Sequence, residues 1–264
     1  MALRIAPLFS GSSGNSIFIR SEQASLLIDA GTSCSRISQE LAKADASMDC
    51  LDGILVTHEH TDHISGLNII TKKYDIPVYA NAPTWEVLLP KLPNILAKNI
   101  REITTEDFYI KDICVQPFEV SHDAACPYGY ALHSKGKKVA VVTDLGHITQ
   151  KIIDGVGGSS IVLLEANHDV EMLNAGPYPY RLKRRILSGR GHLSNDAAAE
   201  AAFELAKTGV RGIILGHLSL QNNVEELAYQ TVCAYLEQKG VQVGRHVGLA
   251  LAKRSELTGC YDAR

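Results

Sequence analysis

No apolar run in these 264 residues approaches the roughly 18 consecutive residues that a membrane-crossing helix requires, so a membrane-spanning class is not expected. The start, MALRIAPLFSGSSGNSIFIR, lacks both a basic head and a sustained apolar core. It reads as strand, tight loop and strand rather than a secretory leader, and the expectation is a cytoplasmic protein. The six cysteines (Cys34, Cys50, Cys114, Cys126, Cys233, Cys260) contain no C-x-x-C pair, which argues against a ribbon-type zinc site or a redox pair; free thiols are expected. Positive charge is also in short supply. The net charge of −3 excludes a generally basic nucleic-acid binder, so any polyanion must meet a local patch. There is no low-complexity tract, Pro/Ser linker or short-period repeat, which removes disordered, fibrous and solenoid classes.

What remains is a globular pattern, 45% hydrophobic and 21% charged. Apolar runs of strand length recur in the first half as LRIAPLF, SIFIR, SLLIDAG, GILVT and IPVYA, with helix-like stretches at about 34–46 and 62–75. The second half repeats the plan with DICVQPFEV, YGYALHS, KVAVVTD and SIVLLEA, then helical SNDAAAEAAFELAKTG, strand GIILG, helical NNVEELAYQTVCAYLEQKG and strand HVGLAL. Ser194 and Asn223 are expected N-caps, and Gly209 and Gly240 expected stops. Two strand-rich halves, each followed by helices, predict one α/β domain over 1–264: a sheet-on-sheet sandwich with helices on both outer faces. A parallel doubly wound sheet is the alternative, opposed by the close succession of the early strands.

One stretch carries chemistry, LVTHEHTDHISG at 55–66. His58 and His60 are two apart after a strand and point to one side in extended backbone, whereas Asp62 and His63 sit at a helix start and approach a second point. Imidazoles and a carboxylate suit Zn²⁺, Mn²⁺ or Fe²⁺, and the spacing suits two neighbouring ions. A fortuitous surface cluster is the alternative. Against it, three later strands each end in a residue able to coordinate: His122 in FEVSHD, Asp144 in VAVVTDLG and His217 in GIILGHLS.

The order H-x-H-x-D-H, His, Asp, His, preceded by LLIDAG, resembles the metallo-β-lactamase superfamily over nearly the whole chain. The resemblance implies a four-layer αββα sandwich with the site at one edge of the two sheets. It also implies two divalent ions, Zn or Mn with Fe also admitted: His58, His60 and His122 on one, Asp62, His63 and His217 on the other, and Asp144 bridging. Asp29 matches a position that supports the site structurally. Such a pair clamps a hydroxide between the ions as nucleophile. His60 stands where the diiron branch usually has Glu, and Asp144 where zinc β-lactamases commonly have Cys, which disfavours redox chemistry and antibiotic hydrolysis.

LLEANHD (163–169) and GHLSN (191–195) are similar to segments of the transfer-RNA 3′-processing nucleases, tRNase Z, and imply His192 as general acid with Glu165 as its orienter. The alternative for His192 is a helix cap. GHLSLQNN (216–223) resembles a third segment but lacks its Arg-Tyr ending. With SGSSGNS and YPYRLKRRI, these motifs resemble the bacterial YycJ (WalJ) metallohydrolases. That subfamily implies a 5′-3′ DNA exonuclease with a functional link to the WalK/WalR two-component system. Catalytic candidates are then Asp62, His192 and Glu165. The stretch between Asp144 and His217 leaves no room for a β-CASP cap.

Expected substrate contacts follow from position and chemistry. The basic, aromatic run beside His192 offers Tyr178, Arg181, Lys183, Arg184 and Arg185 to phosphates, although a solvated helix face is its plainer reading. The 10–16 loop offers Ser12, Ser13 and Asn15 to a terminal phosphate, or is merely a hairpin turn. His168, Ser194, Asn195, Ser219 and Asn222 are the remaining candidates; His147 is expected one layer behind the ligands, and His133 and His246 are structural. Two other functions compete: hydrolysis of a small phosphodiester or thioester, and a regulatory binding protein whose metal site is vestigial.

Overall fold

Successive residues along the strands are buried on opposite faces, and that alternation divides the interior into three apolar layers. The computed structural model describes residues 3–264. The first sheet is built from β1 (Arg4–Gly11), β2 (Gly14–Arg20), β3 (Ser25–Ile28), β4 (Gly53–Leu55), β5 (Val78–Ala80) and β6 (Ile100–Glu102). The second contains β7 (Phe108–Ile110), β8 (Ile113–Glu119), β9 (Tyr128–Ser134), β10 (Lys137–Val142), β11 (Ile161–Glu165), β12 (Gly212–Gly216) and β13 (Gly248–Leu251). A short β14 (Tyr261–Asp262) returns to pair with β1 in the first sheet.

Each sheet is antiparallel in one half and parallel in the other. β14, β1, β2 and β3 run antiparallel and β3 to β6 parallel; β7 to β10 run antiparallel and β10 to β13 parallel. The parallel crossovers require helices, and the chain supplies them. They are α1 (Cys34–Lys43), α2 (Thr61–Ile64), α3 (Leu67–Lys73), α4 (Ala82–Leu88), α5 (Gln150–Val156), α6 (Val170–Ala175), α7 (Tyr180–Ile186), α8 (Asn195–Lys207) and α9 (Glu225–Gln238).

Between the sheets lie Ile5, Ile17, Leu26 and Leu55 from one side and Val115, Tyr130, Val141, Leu163 and Ile214 from the other. The outer face of the first sheet packs Ala6, Leu27, Ile54 and Val78 against Ile37 and Leu41 of α1, Leu67 and Ile70 of α3 and Trp85 of α4. That of the second packs Val142, Val162, Leu164 and Leu215 against Ile152 of α5, Ala198 and Leu205 of α8 and Val232 of α9. The result is the αββα sandwich. Burial of each such Leu or Ile contributes about 1.5–3 kcal/mol. Pro7 is tolerated inside β1 because the register shifts between Pro7 and Phe9, a bulge that needs no amide donor at the proline.

The predicted elements hold with local corrections. The helix expected at 62–75 is two short helices interrupted at Ser65 and Gly66. Ser194 caps α8, accepting from Ala197 N, and Gly209 and Gly240 follow their helices with φ of 87° and 81°. Asn223 is not the cap of α9: the cap position is Val224, without a side-chain bond, and the Asn223 amide is turned inward. Among the described residues no helix is long and apolar enough to cross a membrane.

Candidate metal centre and active site

Strand ends deliver the site. β3 ends before Asp29, β4 before the Thr57–His63 segment, β10 before Asp144 and β12 before His217, all along one edge of the sandwich. Asp29, Asp144 and His217 have φ of 64°, 58° and 55°, which makes them three of the six non-glycine residues with positive φ among those described. Left-handed backbone at such residues costs on the order of 1–3 kcal/mol and persists where surrounding bonds over-determine it. Those bonds are present: the Asp29 carboxylate accepts from Thr57 N and Thr57 Oγ1, both at 2.8 Å, and His217 N donates to Ser10 Oγ at 2.9 Å. Gly31 in the LIDAG segment is fixed by crowding, since a Cβ there would lie 1.7 Å from the Asp62 carbonyl oxygen.

Four of the five ligand histidines, all but His60, are oriented by the outer nitrogen. His63 Nδ1 lies 2.7 Å from Asp29 Oδ2, His122 Nδ1 donates to Gly191 O at 2.9 Å, His217 Nδ1 lies 2.9 Å from Glu165 Oε1 and His58 Nδ1 is 3.0 Å from Thr57 Oγ1. That leaves the inner nitrogens as lone pairs facing one another. His58 Nε2 is 3.0 Å from His60 Nδ1, which is 3.3 Å from His122 Nε2. At the neighbouring point, Asp62 Oδ2 is 3.6 Å from Nε2 of both His63 and His217, and Asp144 Oδ2 is 3.3 Å from His63 Nε2. Two groups, His58/His60/His122 and Asp62/His63/His217, therefore converge, with Asp144 reaching His58 and His63 between them.

Asp144 Oδ2 and His217 Nε2 are buried without a hydrogen-bond partner. A buried acceptor left unpaired costs about 1–3 kcal/mol, and opposed acceptors repel; a divalent cation resolves both. The imidazole and carboxylate donors fit that requirement.

The electrostatics differ between the two groups of ligands. Burial, reinforced by the surrounding histidines, holds the His58 imidazole well below its ordinary range, and burial also lowers His122. Burial acts in the same direction on His63, but Asp144, Asp29 and Asp62 outweigh it and push that imidazole up to about 9. His217 is likewise raised against burial by Asp144, Asp62 and Glu165. Burial would raise the Asp62 carboxyl, yet the facing His217 and His63 hold it below the usual carboxylate range.

Behind this cluster, Glu165 is fully buried and fully used. Oε1 lies 2.7 Å from His192 Nδ1 and 2.9 Å from His217 Nδ1, while Oε2 accepts from Leu145 N at 3.0 Å and Leu193 N at 3.2 Å. Burial opposes ionisation there, but His192 and His217 keep the carboxyl below its ordinary range. The His192 ring is 4.9 Å from that of His122 and 5.3 Å from that of His217, with 17% of its side chain exposed. The turn before it is tight: His192 N donates to Ile186 O, and a Cβ on Gly191 would lie 2.1 Å from that oxygen.

All seven expected ligands, Asp29, Glu165 and His192 are thus brought together, whereas the expected substrate contacts divide. Ser12 and Ser13 are exposed at the tip of the β1–β2 hairpin. Asn15 is buried beneath it, donating to Gly11 O at 3.1 Å and lying 3.0 Å from His63 Nε2. His168, Asn195, Ser219 and Asn222 are also buried. Ser194 is spent as a helix cap, Tyr178 is half-buried and Lys183 donates to Asn174 O. Arg185 pairs with Asp123, the residue after ligand His122. His147 bonds Gly189 O and is exposed.

Sequence reasoning missed several supports. Thr57 links Asp29 to His58, Arg190 donates to His122 O at 3.0 and 3.2 Å, Asn167 donates to His217 O at 2.9 Å, and Asn195 and Asn223 exchange amide bonds of 3.0 and 2.8 Å. Thr57 abuts the histidine cluster, and Asn167 and Asn195 lie within LLEANHD and GHLSN; Arg190 and Asn223 carried no signal for these supporting roles.

The family profile described as Beta-lactamase superfamily domain matches residues 25–218, and the exodeoxyribonuclease YycJ of Bacillus anthracis is 42% identical over 92% of this chain and 93% of its own. This chain belongs to the metallo-β-lactamase superfamily and, within it, to the YycJ/WalJ family. The exodeoxyribonuclease WalJ of Streptococcus pneumoniae is 41% identical over 90% of this chain and 89% of its own. Among solved structures, the metallo-β-lactamase fold protein YhfI from Bacillus subtilis superimposes with a TM-score of 0.73 at 15% identity, covering both chains completely, which speaks for the fold. Membership in the superfamily makes the strand-edge His/Asp cluster of this YycJ/WalJ-family protein a divalent-metal centre.

Proposed function

We propose that this YycJ/WalJ-family protein is a divalent-metal-dependent DNA exonuclease that removes nucleotides from the 5′ end. The observation that carries the reading is the shared hold of Glu165 on His192 and His217, which ties a partly exposed imidazole to the wall of the metal centre. Breaking a phosphodiester expels a basic sugar alkoxide. A positioned proton donor contributes more there than in a reaction expelling a thiolate, which favours phosphodiesters over thioesters. The two exodeoxyribonuclease relatives, each aligned over about nine-tenths of the chain, support DNA as the polymer.

His58, His60 and His122 would hold one ion and Asp62, His63 and His217 a second, with Asp144 shared; Zn²⁺ or Mn²⁺ suits these donors, and Fe²⁺ is also accommodated. Bound divalent ions supply Lewis-acid charge and water activation at neutral pH. The chain's own groups do the rest. Glu165 accepts from His192 Nδ1 and leaves Nε2 to carry the proton given to the leaving oxygen. Asp29 and Gly191 O hold His63 and His122 in the tautomers that present Nε2, and Asp62 acts as both ligand and catalytic carboxylate. We read residues 1–264 as one cytoplasmic domain without a β-CASP cap, functionally linked to WalK/WalR by family resemblance.

End-labelled single- and double-stranded DNA, incubated with and without Mn²⁺ or Zn²⁺, tests the proposal. Metal-dependent shortening from the 5′ end is expected for the wild type and at least a hundredfold slower cutting for Asp62→Ala. Metal-independent or absent cleavage, or an Asp62→Ala variant as active as wild type, overturns it.

A further inference from the structure

Helix α7 carries more positive charge than the fold uses. Arg185 pairs with Asp123 and Lys183 donates to Asn174 O, so both have structural partners. Among the described residues, no acidic group pairs with Arg181 or Arg184, and both are exposed. Cations in the last helical turn complement the helix dipole, which accounts for Arg184; Arg181 lies in the first turn, where that dipole disfavours it. Positions 181, 184 and 185 share one face, where like charges cost stability, and Asp123 pairs there with Arg185 alone.

The same face exposes an aromatic ring. Tyr180 is 73% exposed, the Arg184 guanidinium stands 5.9 Å from its ring centroid, and Tyr180, Arg181, Arg184 and Arg185 line a cleft of about 440 Å³. This helix is tied to the metal centre. Arg185 holds Asp123, Ser121 Oγ donates to Gly189 O, Arg190 holds the His122 carbonyl and Gly191 O accepts from His122. Arg185 thus joins the lining of this cleft to Asp123, the residue after ligand His122.

We propose that the Tyr180–Arg181–Arg184 face of α7 is a track for single-stranded DNA, binding backbone phosphates through the two arginines and stacking one unpaired base on Tyr180. The assignment rests on the exonuclease reading above and adds a strand preference to it. Phosphates supply the anions the face lacks. An exposed ring flanked by guanidinium accepts the π-face of any base, but only where that base is free of a duplex.

The test measures binding of fluorescein-labelled oligothymidylate and of a duplex of equal length across a salt series, in the metal-loaded protein carrying His192→Ala, which slows turnover and keeps all seven ligands. Replacing Arg181 and Arg184 together with Ala is expected to lower the single-strand salt slope by roughly 1.4, about 0.7 for each phosphate no longer neutralised. Tyr180→Ala is expected to weaken single-strand binding about tenfold while leaving duplex binding unchanged, and Tyr180→Phe to restore it. An unchanged affinity and slope overturn the track; equal losses for single strand and duplex overturn its strand preference. If DNA binding responds as expected but the wild type shortens no DNA, the track stands and the exonuclease reading falls.

Discussion

Asp29 Oδ2 lies 2.7 Å from His63 Nδ1 at the floor of the site, and the same carboxylate receives both donors of Thr57. One buried acid therefore fixes the backbone of the histidine segment and the tautomer of one of its ligands. Asp29→Asn keeps the shape but offers an amide where His63 needs an acceptor. Metal affinity is expected to fall about 10–100-fold, the usual consequence of losing a ligand's orienting partner. Competition with a chromophoric chelator measures it; affinity equal to wild type would show that Thr57 alone orients the segment.

His192 and Glu165 predict a dependence on the leaving group. Removing a general acid costs about 10²–10⁴ in rate when the expelled oxygen is basic and little when it leaves unaided. His192→Ala is expected to show that loss on DNA but to retain most activity on bis(p-nitrophenyl) phosphate. Glu165→Gln should follow the same pattern, with an additional weakening of metal binding because His217 shares that carboxylate. Equal losses on both substrates would assign His192 to metal or substrate positioning instead.

The ligands were legible because coordination demands particular side chains at strand ends, and His58, His60, Asp62, His63, His122, Asp144 and His217 meet it in chain order. The layers were legible because alternation along LRIAPLF or SIVLLEA separates two buried faces. Short edge strands were not. β6 and β7 have three residues each, and Ile100–Glu102 places two charges in its three, too brief and too polar for a periodic signal. Nor does sequence fix the direction of a polar side chain outside a motif. Asn195 and Asn223 looked like a substrate contact and a helix cap, but they bond to each other inside the protein. Arg185 looked like a phosphate ligand, yet Asp123, 62 positions earlier, occupies it.

Metal removal should destabilise the protein as well as inactivate it. Without a cation, Asp144 Oδ2 and His217 Nε2 remain buried and unpaired, and the inward lone pairs of His58, His60 and His122 oppose one another. A ligand held at a hundred times its dissociation constant adds about 2.7 kcal/mol. At about 2–4 °C per kcal/mol for a chain of this size, chelation is expected to lower the melting midpoint by roughly 5–10 °C, reversibly on adding Zn²⁺ or Mn²⁺. Differential scanning calorimetry of the stripped and reloaded protein measures it, and identical midpoints would argue against a resident ion.

Gly31 offers the most local test of how the fold positions the ligands. A methyl group there would sit 1.7 Å from the Asp62 carbonyl oxygen and 2.5 Å from Asn15 N, both backbone atoms that no rotamer change can move. Gly31→Ala must therefore push α2 away from the loop that follows Asp29, carrying Asp62 and His63 with it. Overpacking of this kind costs about 1–3 kcal/mol, and a displacement of about 1 Å at a catalytic group costs on the order of a hundredfold in rate. The variant is expected to fold with a lowered midpoint, to bind metal more weakly and to lose most DNA cleavage, measured on one preparation by calorimetry, chelator competition and end-label release. A Gly31→Ala protein with wild-type metal affinity would mean that the α2 contact is not what places Asp62 and His63.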